Sequence, residues 1–397
     1  MATVFQDKVF MNPFVFMSPT KVRFGEDGIS SCGDYVQDLG GQKVLIVTDA
    51  YISKSGKLQP LLASIKSCIG ADPVIFSNVP PDSDVDCVNE GTALARTNGC
   101  DLIVAMGGGS VMDTAKVINI CLSLGGDLLD HQGINNISKR LLPMIAIPTT
   151  AGTGSEVSFA AMVKDNTDHK KLMFASPFLA PDVALLDPLL IVSLPAKLTA
   201  ATGIDAVTHD IECFVAAGTN SPMTDCLCLE SLRMLKEFLA VATADGANME
   251  ARSATLVAST MAGMAFTNAG VGIVHALAHS VGAKYGTHHG MTNGVLLPHG
   301  MRFNLQTSKA AYARMARYIA VTSEGDDEKA ANALVAWVDG LLLQLDMPQT
   351  LKELGVPELN CDSMAEIAEL ASSDPAIMFN PREVTSEDLI SILKGAY

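Results

Sequence analysis

The chain has 397 residues, with 43 acidic against 27 basic side chains and a formal charge of −16. A surface of that sign repels the phosphate backbone of nucleic acids and anionic lipid headgroups, so neither nucleic acid nor membrane is an expected partner. With 48% hydrophobic and 18% charged residues, and 32 Gly and 18 Pro spread along the chain, disordered and fibrous classes are excluded; the length, beyond the roughly 250–300 residues at which a single core stops growing, demands two domains.

The opening MATVFQDKVF has neither the basic segment nor the apolar run of a signal peptide, and no stretch offers about 18 uninterrupted apolar residues. A cytoplasmic location is the expectation. The nine Cys are odd in number and form no CxxC pair, which argues against a disulfide framework and for buried thiols.

Along residues 1–195, short apolar runs alternate with helix-length amphipathic stretches: KVLIVT (43–48), PVIF (73–76), LIVAM (102–106), MIAI (144–147) and VALL (183–186). This rhythm predicts βαβ units and a mostly parallel, Rossmann-like sheet with strands buried on both faces. Gly40 and Gly41 end a helix over 29–39, and Pro80 and Pro81 precede another beginning near Ser83. From residue 196 to 397 strand-like runs fade, and Ala, Met and Leu-rich stretches at 196–217, 222–243 and 248–285 have helical spacing. A second, all-α domain is expected there, with TSEGDDEKA (322–330) as a solvated connection.

The run LIVAM leads directly into GGGSVMDTAK (107–116). Gly107, Gly108 and Gly109 free the backbone, and a helix starting near Ser110 presents amides and a positive end suited to a pyrophosphate. The loop is neither GxGxxG nor a Walker loop, so a merely tight turn is the competing reading. PTTAGTGSEV (148–157) adds Thr149, Thr150, Thr153 and Ser155 as hydroxyl donors; alternatively it is a helix start capped by Ser155. Asp49, at the carboxyl end of KVLIVT, suits a ribose diol and disfavours a 2′-phosphate, which selects NAD over NADP. An acidic turn residue is its ordinary alternative.

The strongest chemistry lies in the second half. Five of the eight histidines, His275, His279, His288, His289 and His299, fall close together. GIDAVTHDIE (203–212) sets Asp205 and His209 on one helix face, with Asp210 and Glu212 expected solvated or capping. His275 and His279 share a second face, and His288 and His289 occupy a Gly-bounded turn. A carboxylate with several imidazoles and no thiolate suits a divalent ion such as Fe²⁺ or Zn²⁺.

Together GGGSVMDTAK, IPTTAGTGSEV, LTAATGIDAVTHDIE, the His-rich segment and the closing NPREVTSEDL resemble the iron-containing (group III) alcohol dehydrogenases over essentially the whole chain. The resemblance implies an NAD-dependent enzyme interconverting a small primary alcohol or diol and its aldehyde, with a divalent metal polarising the substrate oxygen. It implies Asp205, His209, His275 and His289 as metal ligands. For the cofactor it implies Asp49, the Gly107–Ser110 turn with Asp113, the hydroxyls of Thr149, Thr150, Thr153 and Ser155, and Lys171. His279, beside the ion, is the expected proton carrier. Two departures stand out: PPDS (80–83) where many relatives have Asn-Pro-Thr, and His288 where several have Pro.

The segment VFMSPTKVRFG (15–25) is expected to pair across a two-fold axis as in relatives, giving a homodimer. Rival readings are a glycerol dehydrogenase-like or dehydroquinate synthase-like metal enzyme, a hydrolase with a structural nucleotide, and a silent assembly protein. MAFTNAGVGIVH (264–275) lacks the basic cluster that a charged substrate would need, which favours a small neutral alcohol.

Overall fold

The computed structural model describes residues 13–166 and 170–397, with the Lys170 side chain left out; the MATVFQDKVF segment lies outside the described residues. Two compact units make up the chain, Ser18–Ser193 and Leu194–Tyr397, the latter joined by residues 13–17.

The first unit runs β1 (Lys21–Phe24), α1 (Cys32–Asp38), β2 (Val44–Val47), α2 (Ala50–Lys54), α3 (Gln59–Ile69), β3 (Val74–Phe76), α4 (Val85–Asn98), β4 (Leu102–Gly107) and α5 (Gly109–Leu124). It continues with β5 (Gly133–Ile134), β6 (Met144–Pro148), β7 (Ala160–Asp165), β8 (Lys170–Ala175) and β9 (Val183–Leu186). Six strands form one sheet in the order β1-β9-β6-β4-β2-β3, every pairing parallel. All five strands expected from apolar runs are present.

β2, β4, β6 and β9 read as continuous apolar runs because both faces are covered; the expectation of two buried faces fails at β3, which lies at the sheet edge and leaves Ile75 exposed. Along β2, Leu45 and Val47 enter one core while Val44 and Ile46 enter the other; β4 divides Ile103 and Ala105 from Leu102, Val104 and Met106 in the same way. Chain order reverses between β2 and β4: β3 extends the sheet outward from β2, whereas β6 and β9 follow β4 on the other side. The crevice at the carboxyl ends of such a pair is where open α/β sheets receive ligands.

The structure sets aside the alternative reading of the second strand-exit loop and adds a hairpin that no apolar run announced. The loop after β6 does not start a helix at Ser155; it makes a turn, with the Val157 amide bonded to the Gly154 carbonyl, and enters β7. There β7 pairs antiparallel with β8 in a separate three-stranded sheet.

In the second unit, α6 (Ala196–Phe214), α7 (Pro222–Ala244), α8 (Met249–Ala269), α9 (Ile273–Tyr285), α10 (His289–Tyr318), α11 (Asp327–Gln344), α12 (Cys361–Ser372) and α13 (Ser386–Ala396) follow, with no strand among the described residues. Thr199 through Phe214 of α6 are all buried, which makes this the central helix of the unit. The single stretch expected over 248–285 is two helices, bent by 101° where Gly270 takes a φ of 85°. Among the described residues no single helix is long and apolar enough to cross a membrane; α8 and α9 meet that composition only as this bent pair.

Candidate functional site

In the first unit, Asp49 and the Gly107–Ser110 turn emerge at the carboxyl ends of the adjacent strands β2 and β4. Gly108 is the N-cap of α5 and supplies no side-chain cap, so first-turn amides of the helix point outward without intrahelical partners. The glycines answer a close approach. A Cβ on Gly109 would stand 2.8 Å from Thr153 Cγ2, and one on Gly108 would stand 3.3 Å from the Thr150 side chain. The loop after β6 thus carries Thr150 and Thr153 onto the helix start, while the Thr149 amide donates to the Gly107 carbonyl at 3.0 Å.

Asp49 caps α2, its Oδ1 accepting from the Ile52 amide at 2.8 Å. Ser110 Oγ accepts from the Asp82 amide at 3.1 Å, and Asp82 Oδ1 pairs with Lys171 Nζ at 2.7 Å. Lys171, which no spacing in the sequence singles out, therefore reaches the helix start through the turn that departs from the family pattern. Asp82 holds a left-handed φ of 53° there.

Asp113 and Ser155 meet each other: Ser155 Oγ donates to Asp113 Oδ1 at 2.7 Å, and Asp113 Oδ2 accepts from the Met162 amide at 3.0 Å. Sequence reasoning passed over the residue beside them. Lys116 is 1% exposed, and its ammonium donates to Ser155 Oγ, Ser158 Oγ and the carbonyls of Ser158 and Ala160 at 2.9–3.1 Å. Burial pulls its pKa down to about 8, against the opposing pull of Asp113 and Glu156.

In the second unit, donor atoms of Asp205, His275 and His289 lie within 4.8 Å of one another. They come from α6, α9 and the first residue of α10. Asp205 Oδ1 is 3.8 Å from His275 Nε2 and 3.4 Å from His289 Nε2. The Asn293 amide, one turn along α10 from His289, donates to Asp205 Oδ1 at 2.7 Å and lies 3.1–3.2 Å from both imidazole Nε2 atoms. His209 is outside this trio; its ring stacks on His275 at 4.7 Å and on Phe266 at 4.4 Å. His279 stacks on His289 at 5.3 Å, and its Nδ1 is 2.8 Å from Asp374 Oδ2. His288 caps the start of α10 by position, and burial holds its pKa below the ordinary value.

Glu212 and Asp210 are not solvated. Asp210 is fully buried, accepts from Ser231 Oγ at 2.6 Å, and has its pKa raised well above the usual carboxylate range by that burial. Glu212 is 4% exposed and caps a helix other than its own: it accepts from the Val274 amide at 2.7 Å and faces His275 Nδ1 at 2.6 Å. Both escaped the sequence reading because α6 is packed on all sides, so the polar positions of its pattern are interior too.

The donor chemistry fits a divalent cation. With its N–H on Nδ1 held by Glu212, His275 turns its Nε2 lone pair toward Asp205 and His289. Burial would lower the pKa of His275, but Glu212 and Asp205 outweigh it and hold the imidazole above its ordinary value. Burial would raise that of Asp205; His209, His289 and His275 with the Asn293 amide bring it down to about 2. The pocket is built to hold positive charge between these side chains.

Two family profiles match: iron-containing alcohol dehydrogenase over residues 19–188, and the C-terminal part of the Fe-containing alcohol dehydrogenase family over 199–397. The NAD-dependent methanol dehydrogenase of Bacillus methanolicus is 36% identical, covering 96% of this chain and 99% of its own. The 1,3-propanediol dehydrogenase of Klebsiella pneumoniae is 36% identical, covering 97% and 99%. A crystal structure of 1,3-propanediol oxidoreductase superposes with a TM-score of 0.93 at 36% identity, covering 97% of this chain and all of that one. The chain belongs to the iron-containing alcohol dehydrogenase family.

Proposed function

We propose that the protein is an NAD-dependent, metal-containing alcohol dehydrogenase that interconverts a small neutral primary alcohol or diol and its aldehyde. The observation carrying this reading is the convergence of Asp205, His275 and His289 from separate helices on one point, in a chain of this family. Its relatives support it: one is an NAD-dependent methanol dehydrogenase and another a 1,3-propanediol dehydrogenase. When bound, the divalent ion is a Lewis acid toward the substrate oxygen and NAD is the hydride carrier.

Asp205, His275 and His289 hold the ion, with His209 as fourth ligand one helical turn from Asp205. Glu212 fixes the tautomer of His275. His279 takes or delivers the hydroxyl proton at Nε2 while Asp374 engages its Nδ1. In the other unit, Gly107, Gly108, Gly109 and Ser110 receive the pyrophosphate at the start of α5. Asp49 takes the adenosine ribose, and Thr149, Thr150, Thr153 and Lys171 surround the remainder. Asp113 and Ser155 support that loop from behind.

Absorbance at 340 nm tests the reading: metal-stripped protein is mixed with NAD and a panel of short alcohols, with and without Fe²⁺ or Zn²⁺. Metal-dependent NADH formation is the expected result. No NADH with any alcohol at full metal loading, together with no NADH consumption on short aldehydes, overturns it.

We further propose a cytoplasmic homodimer joined through residues 15–25. In support, β1 is an edge strand with Val22 and Phe24 exposed, and Val15 is 80% exposed. Light scattering on a size-exclusion column checks the mass; a monomer at micromolar concentration refutes it.

A further inference from the structure

We infer that the Phe379–Arg382 turn is a staple across the three helices that carry the metal donors, and that Asn380 at its centre is a positioning residue for ion binding. This rests on the metal reading above.

α9 has no cap of its own, because Gly272 offers no side chain. Its first amides are satisfied from elsewhere: Val274 by Glu212 of α6, and Ile273 by Asn380 Oδ1 at 3.3 Å. Gly272 leaves the room for both, since a Cβ there would stand 3.0 Å from Asn380 Oδ1 and 3.0 Å from Glu212 Oε1. His275 lies in this first turn.

Asn380 is 6% exposed, and its whole amide is engaged. Oδ1 also accepts from Asn304 Nδ2 at 2.9 Å, while Nδ2 donates to Asn304 Oδ1 at 2.9 Å and to the Arg382 carbonyl at 2.8 Å. Asn304 belongs to α10, the helix that begins with His289. Arg382 adds a second hold on α10, donating to the Phe303 carbonyl at 3.1 Å and lying 4.1 Å over the Phe303 ring. The Phe379 carbonyl accepts from the Ala217 amide, just past the end of α6, at 2.8 Å. The Phe379 ring fills the space beside Gly270, where a Cβ would stand 2.5 Å away.

One turn of the chain thus bonds to the end of α6, the start of α9 and the body of α10. Without the Asn380 amide, the Ile273 N–H and both ends of the Asn304 amide lose buried partners, and the turn bearing His275 is freed to shift relative to His289. Donors that must be gathered at the moment of binding hold an ion less tightly than donors already in place.

Chelator-stripped full-length protein titrated with Co²⁺, read by its d–d absorption and by competition with a chromogenic chelator, tests this. Asn380→Ala is expected to weaken Co²⁺ affinity roughly tenfold or more and to alter the d–d band, in a metal-free protein that still folds but with a lower thermal midpoint, since buried polar groups lose partners. Asn380→Asp, which keeps the acceptor for Ile273 and Asn304 Nδ2 but loses the donor to Asn304 Oδ1 and the Arg382 carbonyl, is expected to recover part of the affinity. Wild-type affinity and spectrum in Asn380→Ala overturn the inference; so does failure of both variants to fold, which makes the turn purely architectural. Asp205→Asn is the control: if it binds Co²⁺ like the wild type, the metal reading itself falls.

Discussion

Gly290 provides the sharpest test of how α10 delivers His289 to Asp205. It follows His289 directly, and a Cβ there would stand 2.2 Å from the Ala201 carbonyl oxygen and 3.3 Å from Asp205 Cβ. Ordinary contact between such atoms is about 3.5 Å, so Gly290→Ala drives the start of α10 from α6 by about 1 Å. Helix propensity alone would favour Ala by about 1 kcal/mol. The clash is with backbone that no rotamer change relieves, and overpacking of this kind costs about 1–3 kcal/mol. The 3.4 Å between His289 Nε2 and Asp205 Oδ1 would widen by a similar distance. That exceeds the roughly 3.3–3.6 Å at which two ligands with bonds of about 2.0–2.2 Å share a tetrahedral ion, and reaches the limit set by ligands on opposite sides of it. Gly290→Ala is therefore expected to lower metal content far more than its modest loss of thermal stability suggests. Elemental analysis after reconstitution, alongside differential scanning calorimetry, measures both. Stoichiometric metal with wild-type affinity would refute the argument.

Replacing His279 by Ala is expected to lower kcat by about 10²–10⁴-fold and to remove one limb of its pH profile while metal content is kept; an unchanged profile removes His279 from proton transfer. Asp49→Asn should relax the bias against a 2′-phosphate. Steady-state kinetics with both cofactors checks it, and an unchanged NADP-to-NAD preference counts against the ribose role. Burial holds Lys116 at about 8 against an ordinary 10.5. The unfolded chain then binds this proton more tightly, and the wild type gains stability as pH rises from about 8 to 10.5, by roughly 3 kcal/mol. Urea unfolding of wild type and Lys116→Met across that range measures it; a difference that stays flat with pH refutes the lowered pKa.

The parallel sheet was legible because four of its five apolar runs are buried on both faces, a demand that leaves a continuous trace in sequence; the fifth, edge strand β3, is apolar though Ile75 is exposed. The β7–β8 hairpin was not. Lys164 and Lys171 face each other across it, and its alternation is too polar and too short to separate from a loop. The break between α8 and α9 was hidden because small apolar residues continue at helical spacing on both sides of Gly270 and Gly272. Asp205, His275 and His289 announced themselves by residue type, whereas Glu212 looked like surface charge. Nothing local to a helix says that all its faces are covered. Lys116 was invisible for the same reason: a lysine two turns into a helix reads as solvated until the loop that folds over it is known.

The two candidate sites follow one physical rule. Polar groups can converge only where backbones cross closely, so each site is bordered by positions that cannot carry a side chain. At the start of α5 the absent Cβ atoms of Gly108 and Gly109 admit Thr150 and Thr153; at the start of α9, Gly272 admits Glu212 and Asn380; at the start of α10, Gly290 lets the Ala201 backbone approach. In all three cases the glycine lies at a helix N-terminus, where exposed amides already favour negative charge or a polar ligand. At α9 those amides are spent on Glu212, which in turn orients His275; at α5 no side chain caps them. The same local device therefore has opposite uses. Filled from within the chain, it orients His275, a metal ligand in the proposed function; left open at α5, it offers the amides to which that proposal assigns the pyrophosphate.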